Sequence, residues 1–529
     1  MPPAFAAADA ERKVIRPSTQ PPGTVPVVAA AMGMALSYYT YPLVISVPLG
    51  LYFLLGLLIL AVAIIGFSRT LQSLSNKKTV SVNKLVILAV AAAVGFSLGI
   101  AARRTVSSSV DTGIEPEKVT AVSGILIEDP RSLQGGSGLG TLELMACMGR
   151  DGTRVSAHGN VTVFFPAESI SRLKEFGRNC EIFTDGTFIN GRTSSRTAIG
   201  SRGLLFNAQS VHIVKPAPTL DRFRTGLRIG LLEKFQSSQG RKYKEPPVWG
   251  GLASALLLGV RDDLDTVLSE GFRDSGCAHI LALSGMHLAI ISGVLAFLLR
   301  RPMGVRWASL VGAVFIILYV FTAGSQPSLV RAAIMYLIGT FVVWGLLKGS
   351  PISFLSMAFI IQLIFQSDNG ISISFILSYL ALLGILTLGE MIREMFRGRI
   401  PFILAGGLSA SIGAFVFSAP VVGFFFGVLR PIGILAGLLL APLSSLFMVF
   451  SLTTLAVSFL PFPLWDFFDF LLTYLYRILE FLVSLAGRVP GLPVSNPLLI
   501  LVFSLLFCLL TLFLRKKDNF YRNSVTPLD

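Results

Sequence analysis

Two of the chain's four histidines, His279 and His287, stand on either side of Ser284 in an otherwise apolar run, AHILALSGMHLAIISGVLAFLLR, at residues 278–300. Polar side chains are disfavoured in such a run unless they face a protein interior or an aqueous path. As metal ligands the histidines are badly spaced. Eight residues apart on a continuous α-helix, they stand about 80° apart around the axis and about 12 Å apart along it. A shared ion would require the helix to unwind at Ser284-Gly285, a pair of the kind that kinks helices. Ser284 and His287 are three apart and can touch as a nucleophile and base would, but that chemistry also needs an orienting group. The nearest acids, Glu270 and Asp274, precede the run. The expectation is no catalytic residue, no metal and no cofactor. Two readings of the histidines stay open: the lining of a translocation path, or buried rings hydrogen-bonded to neighbouring helices.

Arg331 is the other charge in an unexpected place, about one turn into the apolar stretch that follows SQPS. It either faces an anion crossing the membrane or snorkels to the outer interface. Upstream, GVRDDLD (259–265) contains Gly259, Arg261, Asp262 and Asp265. An Asp at this point reads first as the cap of a following helix, because a carboxylate accepts from the free N–H groups of the first turn. Gly285 is read with them as structural.

These residues need elements to carry them, and composition says which. Of 529 residues 53% are hydrophobic and 14% charged, against about 25% charged in an ordinary soluble domain. The chain reads as a polytopic membrane protein with helical spans, since helices satisfy their own backbone hydrogen bonds in lipid. The net charge of +15 is weak grounds for a nucleic-acid partner, because inner loops of membrane proteins carry excess Lys and Arg. Residues 1–24 read as a disordered tail, and 25–101 as N-terminal membrane helices with spans near 25–46, 49–68 and 85–101. A second block, 250–514, contains spans near 279–299, 307–323, 329–347, 352–367, 371–391, 401–427, 431–459, 464–487 and 495–514, about 12 in all. Pro431 and Pro442 leave the 431–459 stretch open to being broken or partly re-entrant. Residues 515–529 form a second tail. Arginines and lysines at 69–84, 300–306, 348, 393–399 and 515–517 put those loops and both termini in the cytoplasm by the positive-inside bias.

Between the blocks, residues 117–215 change character. Short β-rich runs alternate with Gly, Ser, Asn and Asp turns, as in a small all-β domain, and five or so strands suit an OB-like barrel. The domain falls on the outer face. The loop GGSGLG (135–140) reads as a flexible hairpin tip rather than a dinucleotide motif. Cys147 and Cys180 both lie here, where disulfides persist, and are candidates for a bridge; free thiols are the equal alternative. Phe164 and Phe165 point to opposite faces of one strand, so one is free for stacking on single-stranded DNA; otherwise the domain's aromatics are core. Residues 221–247 interleave basic residues with Phe223, Leu227, Leu231 and Phe235, as an amphipathic helix along the bilayer interface would; a solvated linker is the alternative.

ALLLGVRDDLD (255–265), FRDSGCAHILALSGMHLAIISGVL (272–295), SQPSLVRAAIMYL (325–337), GISISFILSYLALLGIL (370–386) and SAPVVGFFFGVLRPIGILAGLLLAPLSS (418–445) resemble, in order and spacing, the competence (ComEC) family of DNA-uptake membrane proteins. The resemblance implies a cytoplasmic-membrane channel that imports one DNA strand in natural transformation, with His279, Ser284, His287 and Arg331 as candidates for the DNA path. Membrane lipids surround such a channel. Many family members end in a metallo-β-lactamase-like domain proposed as a nuclease. That chemistry needs clustered His and Asp, so with four histidines this chain is expected to lack it, and a separate nuclease would act. No GxxxxGK[ST] phosphate loop occurs, which leaves the driving force to a cytoplasmic helicase or strand-binding protein, beside an external DNA receptor. The alternatives are a secondary transporter of a lipid or small anion, against which the scarcity of mid-span acids argues, and a non-conducting membrane scaffold.

Overall fold

Long apolar runs without charge must close their own hydrogen bonds, and they do so as helices. A computed structural model describes residues 24–40, 82–104, 106, 110–133, 136–189, 204–236, 247–458 and 465–524. The expected span at 49–68, the tail at 1–23, residues 237–246 of the linker and the last five residues, 525–529, lie outside the described residues. The chain divides into two units, Met1–Arg103 with Phe341–Ile364, and Arg104–Thr340 with Phe365–Asp529. In the first, α1 (Thr24–Thr40) packs against α2 (Val82–Arg104) through glycines. A Cβ on Gly95 would stand 1.9 Å from the Ala30 carbonyl oxygen, and Arg103 lies over the Tyr38 ring.

The second unit begins with a β domain. Strands β1 (Val119–Leu126), β2 (Arg131–Ser132), β3 (Gly138–Gly149), β4 (Arg154–Ser156), β5 (Asn160–Phe165), β6 (Glu181–Ile189) and β7 (Leu205–Lys215) form a mixed seven-stranded sheet. Five of them close a ring: β1 pairs with β3 and β6, β3 with β5, β5 with β7 and β7 with β6. Only the β5–β7 pairing is parallel among these. Helix α3 (Ala167–Phe176) bridges β5 to β6. Alternate residues point inward, so Val122, Leu142, Val161, Val163, Phe165, Ile182 and Phe206 fill the interior. Phe165 is core and Phe164 half-buried, the two-faced placement that a strand imposes. In the GGSGLG run, Leu133 N–H donates to Ser137 O, making the turn, but Gly138–Gly140 belong to β3 itself.

Cys147 and Cys180 are buried free thiols, not a disulfide. Cys147 lies opposite Val122, whereas Cys180 aligns with Leu126 four residues further along β1. At about 3.3 Å per residue that offset exceeds the reach of a disulfide. Burial pushes both thiols up to about 11.

After α4 (Thr219–Gln236) come α5 (Gly250–Leu258), α6 (Thr266–Asp274), α7 (Ala278–Leu281), α8 (Gly285–Ala323), α9 (Pro327–Val343), α10 (Pro351–Phe365), α11 (Ile373–Gly384), α12 (Glu390–Phe396), α13 (Phe402–Phe426), α14 (Gly433–Val457), α15 (Trp465–Gly487) and α16 (Pro497–Ser524). A π-helical turn, Ile385–Gly389, joins α11 to α12. Among the described residues six helices are long and apolar enough to cross a membrane. Helix α14 runs through Pro442 without interruption from Gly433 to Val457. A core of Trp249, Phe272, Phe447, Tyr476 and Leu479 ties α5, α6, α14 and α15 together, and Trp249 Nε1 donates to Asp469 at 2.9 Å.

Helix α8 spans 39 residues, about 58 Å at 1.5 Å per residue, twice the hydrocarbon thickness of about 30 Å. It is in fact two helices joined at Gly304, whose φ of 75° and ψ of 166° are not helical. Both ends return to one place. A Cβ on Gly259 would meet Leu283 Cδ1 at 2.6 Å and Gln326 Nε2 at 3.2 Å, the residues that flank this stretch. The stretch is therefore a helical hairpin, with Arg300, Arg301 and Arg306 at its turn.

Candidate functional site

The run expected to be a span from 279 is interrupted. Helix α7 ends at Leu281, Ala282 (ψ 136°) and Ser284 (φ −123°, ψ 169°) are extended, and α8 starts anew at Gly285. The cause is local. Ser284 caps α8, and His287 fills the position where a capping box normally has Glu or Gln. The Ser284 backbone N–H donates to His287 Nδ1 at 3.0 Å, and Ser284 Oγ lies 3.3 Å from the same nitrogen. Leu283 O, freed by the break, accepts from Ser328 Oγ at 2.6 Å. Gly259, in the left-handed region at φ 69°, ends α5 and leaves room for Leu283 that a side chain would take.

The four candidates for the path do not form one cluster. His279 is exposed on the short helix before the break, while His287 is 1% exposed beyond it. The continuous-helix spacing between them no longer applies. Among the described residues no group of three or more His, Cys, Asp or Glu side chains could hold a metal. With its Nδ1 accepting from a backbone N–H, His287 acts here as a helix cap.

Arg331 comes to the break from α9. It is 8% exposed, and its Nη2 lies 3.0 Å from where a Cβ on Gly285 would stand. Its Nη1 donates to the Ser378 carbonyl, and its guanidinium lies 5.7 Å from the Tyr379 ring centroid. These partners leave the guanidinium buried within the protein. Ser378 and Tyr379 are polar interruptions in the apolar run at 373–384.

Around the break lies the junction with the β domain, and sequence reasoning missed its centre. Asp129, in the loop after β1, accepts from Arg224 Nη1 at 3.0 Å and Nη2 at 2.6 Å, from Arg228, and from the Arg178 N–H at 3.3 Å. Arg224 is 1% exposed, and its Nε donates to Phe321 O at 2.7 Å. Burial works against the Asp129 charge, but the Arg224 hydrogen bonds and the two guanidinium charges outweigh it and hold the carboxyl below its ordinary range. On helix α4 Arg224 and Arg228 face the protein, while Leu220, Phe223 and Leu227 are exposed, the apolar face that an interfacial helix turns to lipid.

Asp262 of the GVRDDLD run also reaches the β domain, accepting from Lys174 Nζ at 2.6 Å and the Ser132 N–H at 3.1 Å. Arg261 is exposed. Asp265 caps α6, accepting from the Val267 N–H at 2.8 Å. Replacing Asp265 with Ala is expected to lower stability by about 1 kcal/mol, and with Asn by much less, read as the shift in thermal unfolding of the detergent-solubilised chain.

Residues 256–517 match the family model described as "Competence protein". The chain is 26% identical over 295 residues to the ComE operon protein 3 of Bacillus subtilis (strain 168), a match covering 52% of this chain and 35% of that one. It is 25% identical over 268 residues to an uncharacterized protein of Aquifex aeolicus (strain VF5), covering 50% and 61% respectively. A third relative, YcaI of Escherichia coli (strain K12), is 26% identical over 159 residues, 27% of this chain and 20% of that one. Each match thus spans less than two thirds of the relative's own length. No solved structure matches.

Proposed function

Residues 256–517 carry the domain of the Competence protein family, and on that premise we propose that this chain is a multi-pass inner-membrane channel through which one DNA strand is imported during natural transformation. The observation that carries this reading is the helix break at Ala282–Ser284 with Arg331 buried against it, at the end of the hairpin where the β domain attaches. Arg224 of the Asp129 cluster bonds Phe321 O, near one end of the hairpin. Arg228 bonds Leu258 O, beside Gly259.

The same geometry supports a sidedness. The arginine-rich turn at 300–306 lies one helix length from the break, about 27 Å at 1.5 Å per residue, close to the hydrocarbon thickness of about 30 Å. With that turn in the cytoplasm, the break opens on the outer side and the β domain is extracytoplasmic, both termini being cytoplasmic. The split of α8 at Gly304 and the four shorter apolar helices raise the candidate crossings among the described residues from six to eleven, in support of a bundle of about 12. The β ring, with its single parallel pairing and its helix between β5 and β6, supports an OB-like domain, a fold that binds oligonucleotides. A strand leaving that domain would meet the break next. A separate nuclease, a DNA receptor and a cytoplasmic helicase or strand-binding protein are the partners this function requires.

Deleting the gene and supplying labelled double-stranded DNA tests the reading. Label in the cytoplasm is expected to fall to background and to return with a plasmid copy. Unchanged delivery in the deletion strain would exclude the channel.

A further inference from the structure

We propose that the break before Gly285 is a binding site for one phosphodiester oxyanion, held by Arg331, by the Nε2–H of His287 and by the first turn of α8. Its assignment to a DNA strand rests on the channel reading; the anion site itself does not.

Charge comes first. A helix N-terminus carries a partial positive charge and normally attracts a carboxylate or an anion. Here the group packed on the first residue of α8 is a guanidinium, 8% exposed, whose partners are a carbonyl and a tyrosine ring. Among the described residues it pairs with no carboxylate. Two positive ends are held together, the guanidinium buried, an arrangement that an anion between them would balance.

The donor inventory points the same way. Arg331 Nε is buried without an acceptor. His287 Nδ1 accepts the Ser284 N–H, so it bears no proton; the ring is neutral and its proton sits on Nε2. That nitrogen is also buried without an acceptor. Each orphan donor belongs to a side chain packed at the start of α8, Arg331 on Gly285 and His287 on the Ser284 cap, which makes the interruption donor-rich. Ser284, Gly285 and Met286 are each partly exposed, so the place is reachable. Gly285 offers backbone rather than a side chain. An arginine fork with further N–H donors suits an anion that presents two oxygens, as a phosphodiester does.

The test measures binding of fluorescent octathymidylate to the full-length chain in detergent, at several salt concentrations, with its uncharged methylphosphonate counterpart as control. Glycerophosphoglycerol, a phospholipid headgroup, serves as competitor. Arg331→Gln is expected to weaken octathymidylate binding at least tenfold, and Arg331→Lys by less. His287→Glu keeps a capping-box residue at its position and so guards against misfolding; its carboxylate should occupy the site and abolish the Arg331-dependent part of binding. If both Arg331→Gln and His287→Glu bind octathymidylate as the unaltered chain does, the site is refuted. Displacement by glycerophosphoglycerol as effective as by unlabelled octathymidylate would overturn its assignment to a strand. Uptake assays on the same variants separate the two claims. A chain that imports no DNA yet binds in an Arg331-dependent way defeats the channel reading and leaves the anion site standing. Uptake with Arg331-independent binding does the reverse.

Discussion

Asp129→Asn is expected to loosen the β domain from the helical block and to lower stability by about 3 kcal/mol, the lower end of the range for removing one partner of a buried ion pair. Asn keeps the shape and some hydrogen bonding but removes the charge, leaving Arg224 at 1% exposure and Arg228 beside it without the carboxylate they directly contact. The loss comes from this stranded charge more than from the missing bond. Replacing Arg224 by Met in the same chain should therefore recover part of it, because a well-packed apolar pair can equal a buried ionic one. A double-mutant cycle on thermal unfolding in detergent measures that coupling. Additive losses would mean that the two side chains do not act as a pair. The pH dependence has a definite sign. The Asp129 carboxyl is held below its ordinary value in the folded chain, so its contribution is complete above the unfolded value of about 3.9 and disappears as pH falls through the folded one. The pair should be insensitive to pH between 5 and 8, in the sense of about one pH unit or more above the unfolded value.

How much of this was visible in the sequence depends on how local the cause is. Apolar runs predict helices because the requirement acts within each run. The helices at 402–426, 433–457 and 465–487 fall within a few residues of expectation. The Asp265 cap is equally local, two residues from the N–H that it accepts. The break at 282–284 is half local. Ser284 and Gly285 announce a weak point, but LALSG reads as apolar continuity, and only His287 acting as the third capping-box residue turns the weak point into a new helix start. The Arg224 pairing is wholly non-local. By pattern its residue belonged to the polar face of an interfacial helix; its partner Asp129 lies 95 residues away in a loop with no motif of its own. The same distance effect governs the cysteines, whose separation along β1 is set by strand register, which no spacing in sequence reveals.

Gly413→Ala is the second large effect, and it acts on the site through a helix that never touches the break. Helix α13 crosses the junction of α11 with the π-helical turn so closely that a Cβ on Gly413 would lie 2.5 Å from Gly384 O and 2.9 Å from Gly389 N. In return, a Cβ on Gly384 would lie 2.1 Å from Gly413 O. Every one of these neighbours is backbone, so no side chain can swing aside. Small residues at such crossings let membrane helices approach by backbone contact, and the added methyl must push α11 and α13 apart, at a cost of about 1–3 kcal/mol. Gly406, on the same helix, has nothing within 4 Å of its Cβ position. Gly406→Ala is therefore expected to be neutral or slightly stabilising, since Ala has the higher helix propensity. The contrast within one helix makes the result readable: lowered thermal stability for Gly413→Ala alone marks the crossing, and equal behaviour of the two variants would disprove it. The functional consequence follows from α11, which carries the Ser378 carbonyl and the Tyr379 ring that hold Arg331. Moving that helix withdraws the support of the guanidinium, so DNA uptake should fall with Gly413→Ala and not with Gly406→Ala, at equal amounts of protein in the membrane.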